Sequence, residues 1–112
     1  MAEPEEGTAV QDAPRAWIDD VVARIVGRVA PDEPSEVGPD DMLVADLGYN
    51  SILFIELAFA LEELFQLESL TFEDVPPTGS VRQIQEYIAE KVAAGSAVAP
   101  SAAAVDEFLQ AV

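Results

Sequence analysis

Three stretches of the chain carry apolar residues at helical spacing, separated by segments that break any regular pattern. In the first, Ile18, Val22, Ile25 and Val29 recur every three or four positions, and Trp17, Val21 and Val26 widen the stripe. Asp12 can cap this helix, Pro14 suits its first turn, and Pro31 and Pro34 stop it. The second stretch, about 51–66, is far more apolar. Ile52, Ile55, Leu57, Phe59, Leu61, Leu64 and Phe65 cannot all face one narrow core stripe, and Glu56, Glu62 and Glu63 mark part of its solvent side. The third, about 81–93, opens on Ser80 and Gln83, which fit a capping box. It repeats Val81, Ile84, Ile88 and Val92 before stopping near Gly95.

The connections are equally informative. From Pro31 to Asn50 runs a long loop with three prolines and two glycines, in which Met42, Leu43 and Leu47 are the apolar anchors that would pin it across a helical core. Loops of this length are uncommon in small domains unless they serve a function. Thr71-Phe72-Glu73-Asp74-Val75 suits a short helical turn ended by Pro76-Pro77. Residues 1–11 mix acids, Gly and Pro without periodicity and read as a disordered leader, which leaves 12–94 as the domain. Residues 95–112 form a linker, rich in Ala, Ser and Val, and a short segment that Ser101 can cap. There Val105, Phe108, Leu109 and Val112 share a helical face. A helix that short is marginal alone in water, so it frays, folds back on the domain or docks on another protein. The patterns predict an all-α domain with four helical elements, one of them short, and no internal repeat.

Composition narrows the class. Half of the 112 residues are apolar, too many for a disordered acidic tail. With 22 acids against 5 bases the net charge is −17, which repels nucleic acid and anionic membranes and favours basic partner proteins. There is no cysteine, hence no disulfide or thiolate metal site. No apolar run approaches the ~20 residues needed to span a bilayer. The acidic N-terminus lacks the layout of a signal peptide, so the cytoplasm is the expected compartment.

Catalysis is poorly supplied. Neither His nor Cys is present, and adjacent acids such as Asp40-Asp41 and Glu62-Glu63 are expected by chance among so many. The loop from Asp32 to Asp46 lacks the register of a calcium-binding EF-hand, and no glycine-rich loop has nucleotide-binding spacing. What stands out is Asp46-Leu47-Gly48-Tyr49-Asn50-Ser51-Ile52. Gly48 can supply a positive φ, Asn50 and Ser51 are both good helix caps, and an apolar helix follows. Taken alone, Ser51 is simply an N-cap. Equally, a serine at the positive end of a helix dipole is well placed to carry a phosphate ester.

This stretch resembles the Asp-Leu-Gly-x-Asp-Ser-Leu attachment motif of acyl carrier proteins and related phosphopantetheine-binding domains. Leu57, Ala60, Leu61, Glu62, Glu63 and Phe65 continue like that family's second helix, and the long first loop fits as well. The resemblance covers roughly residues 15–93. It implies a four-helix carrier-protein bundle with a long first loop and a short third helix. It also implies that a separate phosphopantetheinyl transferase moves 4′-phosphopantetheine from coenzyme A onto the Ser51 hydroxyl. The protein would then be a carrier rather than an enzyme, presenting thioester-bound groups to a ketosynthase, an acyltransferase or an adenylating ligase, and a monomer is expected.

The departures shape the expected partners. Asn50 replaces the family's usual Asp, keeping the capping geometry but removing a charge, and Ile52 replaces the usual Leu. Leu53 and Phe54 stand beside Ser51 where many members have polar or acidic residues. One reading packs one of them under the loop. The other exposes them as an apolar patch for docking, together with Asn50, Ile52, Glu56 and Glu63, and points to a discrete carrier in polyketide or other specialised biosynthesis. The alternatives are a peptidyl carrier of nonribosomal peptide assembly and, from another class, an acidic helical adaptor that binds partners without a prosthetic group.

Overall fold

A computed structural model of the chain describes residues 14–32, 34, 36–68, 70 and 79–111. The three predicted stripes become α1 (Arg15–Val29), α2 (Ser51–Phe65) and α3 (Val81–Ala93), and a fourth helix, α4 (Ala102–Ala111), follows. Together they form an all-α bundle. The short helical turn expected at 71–75 and the N-terminal leader lie outside the described residues.

Each helix begins and ends for a local reason. At α1, Pro14 occupies the N-cap without a side-chain cap, and its carbonyl accepts from Trp17 and Ile18 N–H. Asp12 lies outside the described residues. Ser80 and Gln83 make the capping box of α3 as expected, and that helix ends before Gly95, whose φ of 81° suits glycine. Gln66 ends α2 in the left-handed region, and the next residue's N–H reaches back to the Glu62 carbonyl.

The core lies between the inner faces of α1, α2 and α3. Ile18, Val21, Val22, Ile25 and Val26 are buried on α1, while Val29, at the end of the expected stripe, is only half-buried. On α3 the predicted set Val81, Ile84, Ile88 and Val92 is buried throughout. Gln85 is buried as well, and its amide donates to the Asp19 carbonyl at 3.0 Å, joining α3 to α1.

The long loop is pinned at both sides. Leu43 and Leu47 enter the core, whereas Met42 leaves 37% of its surface exposed and contributes through its backbone, in an isolated bridge to Ser80. The hydrogen bonds Leu43 N–H to Gly79 O and Val81 N–H to Asp41 O continue that junction, and Arg82 pairs with Asp40 at 2.8 Å. The loop is therefore tied to the start of α3.

Tyr49 supplies a further tie that the sequence did not single out as core. Its ring is buried, and its hydroxyl donates to the Val26 carbonyl at 2.7 Å, linking the start of α2 to the end of α1. Burial pushes the phenol well above its ordinary value, and the charge of Glu56 acts in the same direction. Because the folded state favours the neutral phenol, this contribution is fully present below pH ~10 and is lost as the pH climbs toward the raised value. Tyr49→Phe is expected to cost about 1 kcal/mol at pH 7. Above pH ~10 the difference between the two proteins should shrink, as read by urea unfolding over a pH series. A constant difference up to pH ~12 would refute the assignment.

The C-terminal segment folds back on the bundle instead of fraying. Ser101 Oγ accepts from Ala104 N–H at 3.2 Å, and Val105 is fully buried. Phe108 and Leu109 pack half-buried against the same core, while Val112 lies outside the described residues.

Candidate functional site

The turn before α2 is closed by its own backbone and by one carboxylate. Asp46 Oδ2 accepts from Met42 N–H at 2.7 Å, while the Met42 carbonyl accepts from the N–H groups of Asp46 and Leu47 at 2.9 and 3.1 Å. Asp46 therefore acts on the turn's own shape, a role that its place in the motif did not reveal. Leu47 anchors the turn from below, and Tyr49 N–H donates to the Leu43 carbonyl at 2.9 Å.

Gly48 follows with φ of 77°, the positive value its position suggested. A Cβ there would also stand 3.2 Å from Cγ of Pro31. Conformation and space thus act together. Gly48→Ala is expected to cost about 1–2 kcal/mol through the left-handed backbone alone, with the Pro31 contact adding to it. An unchanged midpoint in thermal or urea unfolding would show that the turn relaxes around the substitution.

Asn50 is the N-cap of α2, and its Oδ1 accepts from Leu53 N–H at 2.8 Å. This settles a choice left open by the sequence, where both Asn50 and Ser51 could cap. Ser51 is instead the first residue of the helix, exposed to solvent, and no hydrogen bond among the described residues engages its hydroxyl. The first-turn N–H groups of Ser51 and Ile52 have no acceptor within the helix. An exposed hydroxyl at the positive end of a helix, beside amides that no carbonyl of the helix engages, suits a phosphodiester. The residues present fit a phosphate-linked prosthetic arm.

Beyond Ser51, α2 divides into two faces. Phe54, Leu57, Ala58, Leu61 and Phe65 are buried. On the opposite side Ile52 (69% exposed), Ile55 (45%) and Phe59 (64%) form an apolar stripe, with the exposed Glu56 and Glu63 among them. The structure thereby corrects the expected docking patch. Phe54 is a core residue only 1% exposed, and Leu53 is half-buried against the core, so neither forms an open anchor. Their positions in the first turn suggested exposure, but at 100° per residue Phe54 falls on the same side as Leu57, Leu61 and Phe65. The exposed apolar side chains of this helix are instead Ile55 and Phe59 beside Ile52, and their spacing from it, three and seven positions, was the available signal. Glu62 is partly buried, and its carboxylate accepts from Leu70 N–H at 2.7 Å.

The electrostatics of this face are one-sided. The ion pairs Arg15–Asp19 and Arg24–Asp20 lie within α1, and Arg82–Asp40 joins α3 to the loop. No basic residue occurs in α2, so Glu56 and Glu63 have no cation on their own helix.

Comparison with known proteins agrees with this geometry. A family model described as the phosphopantetheine attachment site matches residues 16–88. An acyl carrier protein of Streptomyces coelicolor is 42% identical over 59 residues, which are 53% of this chain and 63% of that protein. The chain thus spans less than two thirds of that relative's length. No solved structure gives a significant match. The family match takes in nearly all of α1, the long loop, α2 and much of α3, well over half of the sequence. The chain belongs to the phosphopantetheine attachment-site family, whose members carry 4′-phosphopantetheine covalently.

Proposed function

We propose that Ser51 is the attachment residue and that the protein is a discrete acyl carrier protein. The observation that carries this reading is the division of labour at the start of α2: Asn50 caps the helix, which leaves the exposed Ser51 hydroxyl free for esterification. The match of residues 16–88 to the attachment-site family and the likeness to an acyl carrier protein support it. When bound, 4′-phosphopantetheine supplies a terminal thiol on which acyl groups travel as thioesters. The chain's own residues hold and present that arm. The turn closed by Asp46 and Gly48 fixes where Ser51 stands, and the first-turn N–H groups of Ser51 and Ile52 would hold the phosphate's negative charge. The protein has no chemistry of its own to perform. A carrier needs only that its cargo survive until a partner acts, and a chain without His or Cys suits that need.

The partners in this reading are a separate phosphopantetheinyl transferase and acyl-handling enzymes such as a ketosynthase, an acyltransferase or an adenylating ligase. They meet α2 on the stripe of Ile52, Ile55 and Phe59, with Glu56 and Glu63 facing basic residues on the enzyme. An apolar stripe of this extent, with Asn50 removing one charge beside the site, supports polyketide or other specialised biosynthesis as the setting. We place the protein in the cytoplasm as a monomer. Among the described residues no helix is long and apolar enough to cross a membrane.

Intact-mass measurement after incubation with coenzyme A and a broad-specificity transferase tests the reading. A gain of one phosphopantetheine is expected. An unchanged mass on the folded protein would leave the unmodified helical adaptor as the better account.

A further inference from the structure

The family match ends at residue 88, yet the chain continues through the last turn of α3 into a linker and α4. This continuation is not loosely appended. Val98 N–H donates to the Phe65 carbonyl at 2.8 Å, at the end of α2 remote from Ser51. The Trp17 indole N–H donates to the Pro100 carbonyl at 2.9 Å, in the first turn of α1. One short linker therefore bonds both to the beginning of α1 and to the end of α2. Ala97 and Ala99, on either side of Val98, are buried, and Val105 on α4 is fully buried.

Two physical points give these contacts weight. A ten-residue helix has little stability of its own in water, so the order of α4 must come from docking. Conversely, the buried alanines and Val105 cover core that would meet water without them. We infer that residues 96–111 are a strap that completes the bundle, holding the start of α1 to the end of α2, and that the segment matched to the family depends on it for full stability. The domain then extends to residue 111, beyond the boundary at 94 that the sequence suggested. This does not rest on the attachment reading, because none of the contacts involves Ser51.

Trp17 is the sole tryptophan and sits at the strap's seat, so its fluorescence reports on the contact directly. In the full chain, urea unfolding followed by Trp17 emission and by far-UV circular dichroism should give one coincident transition. Val105→Asp, which places a charge in the buried contact, is expected to lower Tm by about 10 °C or more. Val105→Ala should lower it by less, with a readable folded baseline, and Ala103→Gln on the exposed side of α4 should leave it unchanged. Tm values for both Val105 variants within about 2 °C of the parent would overturn the inference. So would a Trp17 transition that precedes the loss of helix, since the strap would then open independently of the bundle. Mass gain on incubation with coenzyme A and a transferase reads the attachment separately, so failure of one conclusion stays distinct from failure of the other.

Discussion

Ser51→Ala is expected to abolish phosphopantetheinylation completely while leaving the fold intact. The two halves of this outcome have separate causes. Removing the hydroxyl removes the only atom of that side chain able to take the phosphate. The cap of α2 belongs to Asn50, so Ala at the first helical position forfeits no cap and should change stability by no more than about 0.5 kcal/mol. Intact mass and thermal unfolding on the same sample check both. Asn50→Ala should behave in the opposite way, losing about 1 kcal/mol of stability and keeping an acceptor for the transferase. A mass gain on Ser51→Ala equal to that of the parent would move the attachment elsewhere. A large loss of stability in that variant would return Ser51 to the role of a cap.

That contrast could not be drawn from the sequence, where Asn50 and Ser51 are adjacent and both favour the N-cap. Choosing between them takes the φ and ψ of Asn50 (−128° and −178°), which place the helix boundary after Asn50. Other features needed no such help. The α3 stripe was legible because its polar and apolar residues alternate cleanly at helical period and Ser80 and Gln83 announce the start. Gly48 was legible because only glycine enters a positive-φ turn without cost. The long loop's path was partly legible. Leu43 and Leu47 are buried anchors, but Met42 faces outward because its backbone is the part that pairs, with Ser80 across 38 positions (80 − 42) of sequence. Pairing over such a distance leaves no local trace.

Tyr49 and α4 were obscured for related reasons. Beside a glycine turn, an aromatic residue is equally consistent with surface and core, and the deciding partner is the Val26 carbonyl, 23 residues away. For α4, the apolar face of Val105, Phe108 and Leu109 was visible, but what it packs on was not. The answer is α1 and α2 together, to which the linker before α4 is also bonded, and local periodicity does not bring these elements together.

The sharpest separation of packing from docking is expected between two phenylalanines of the same helix. Phe54 and Phe59 are five positions apart, and in so apolar a helix the sequence gives no direct measure of which is inside. The structure leaves 1% of Phe54 exposed and 64% of Phe59. Phe54→Ala empties a space walled by the core and should cost about 3–5 kcal/mol, with the larger part of that range reached if the helices do not close on the cavity. In a domain of this size such a loss is a large share of the total stability. Phe59→Ala removes a ring that mostly faces water and should change stability by about 0.5 kcal/mol or less, helped by the helix preference of alanine. Function should follow the reverse order. If partner enzymes seat on Ile52, Ile55 and Phe59, Phe59→Ala slows acyl transfer to the carrier by about 10-fold or more, the effect of losing a contact worth over 1 kcal/mol. The same substitution leaves the folded fraction unchanged. Urea unfolding paired with transfer rates measured at saturating and limiting carrier distinguishes the two effects. Unchanged transfer with Phe59→Ala and with Ile55→Ala would remove the stripe from the docking surface. It would leave Glu56 and Glu63 as the residues of this face through which a basic partner is recognised.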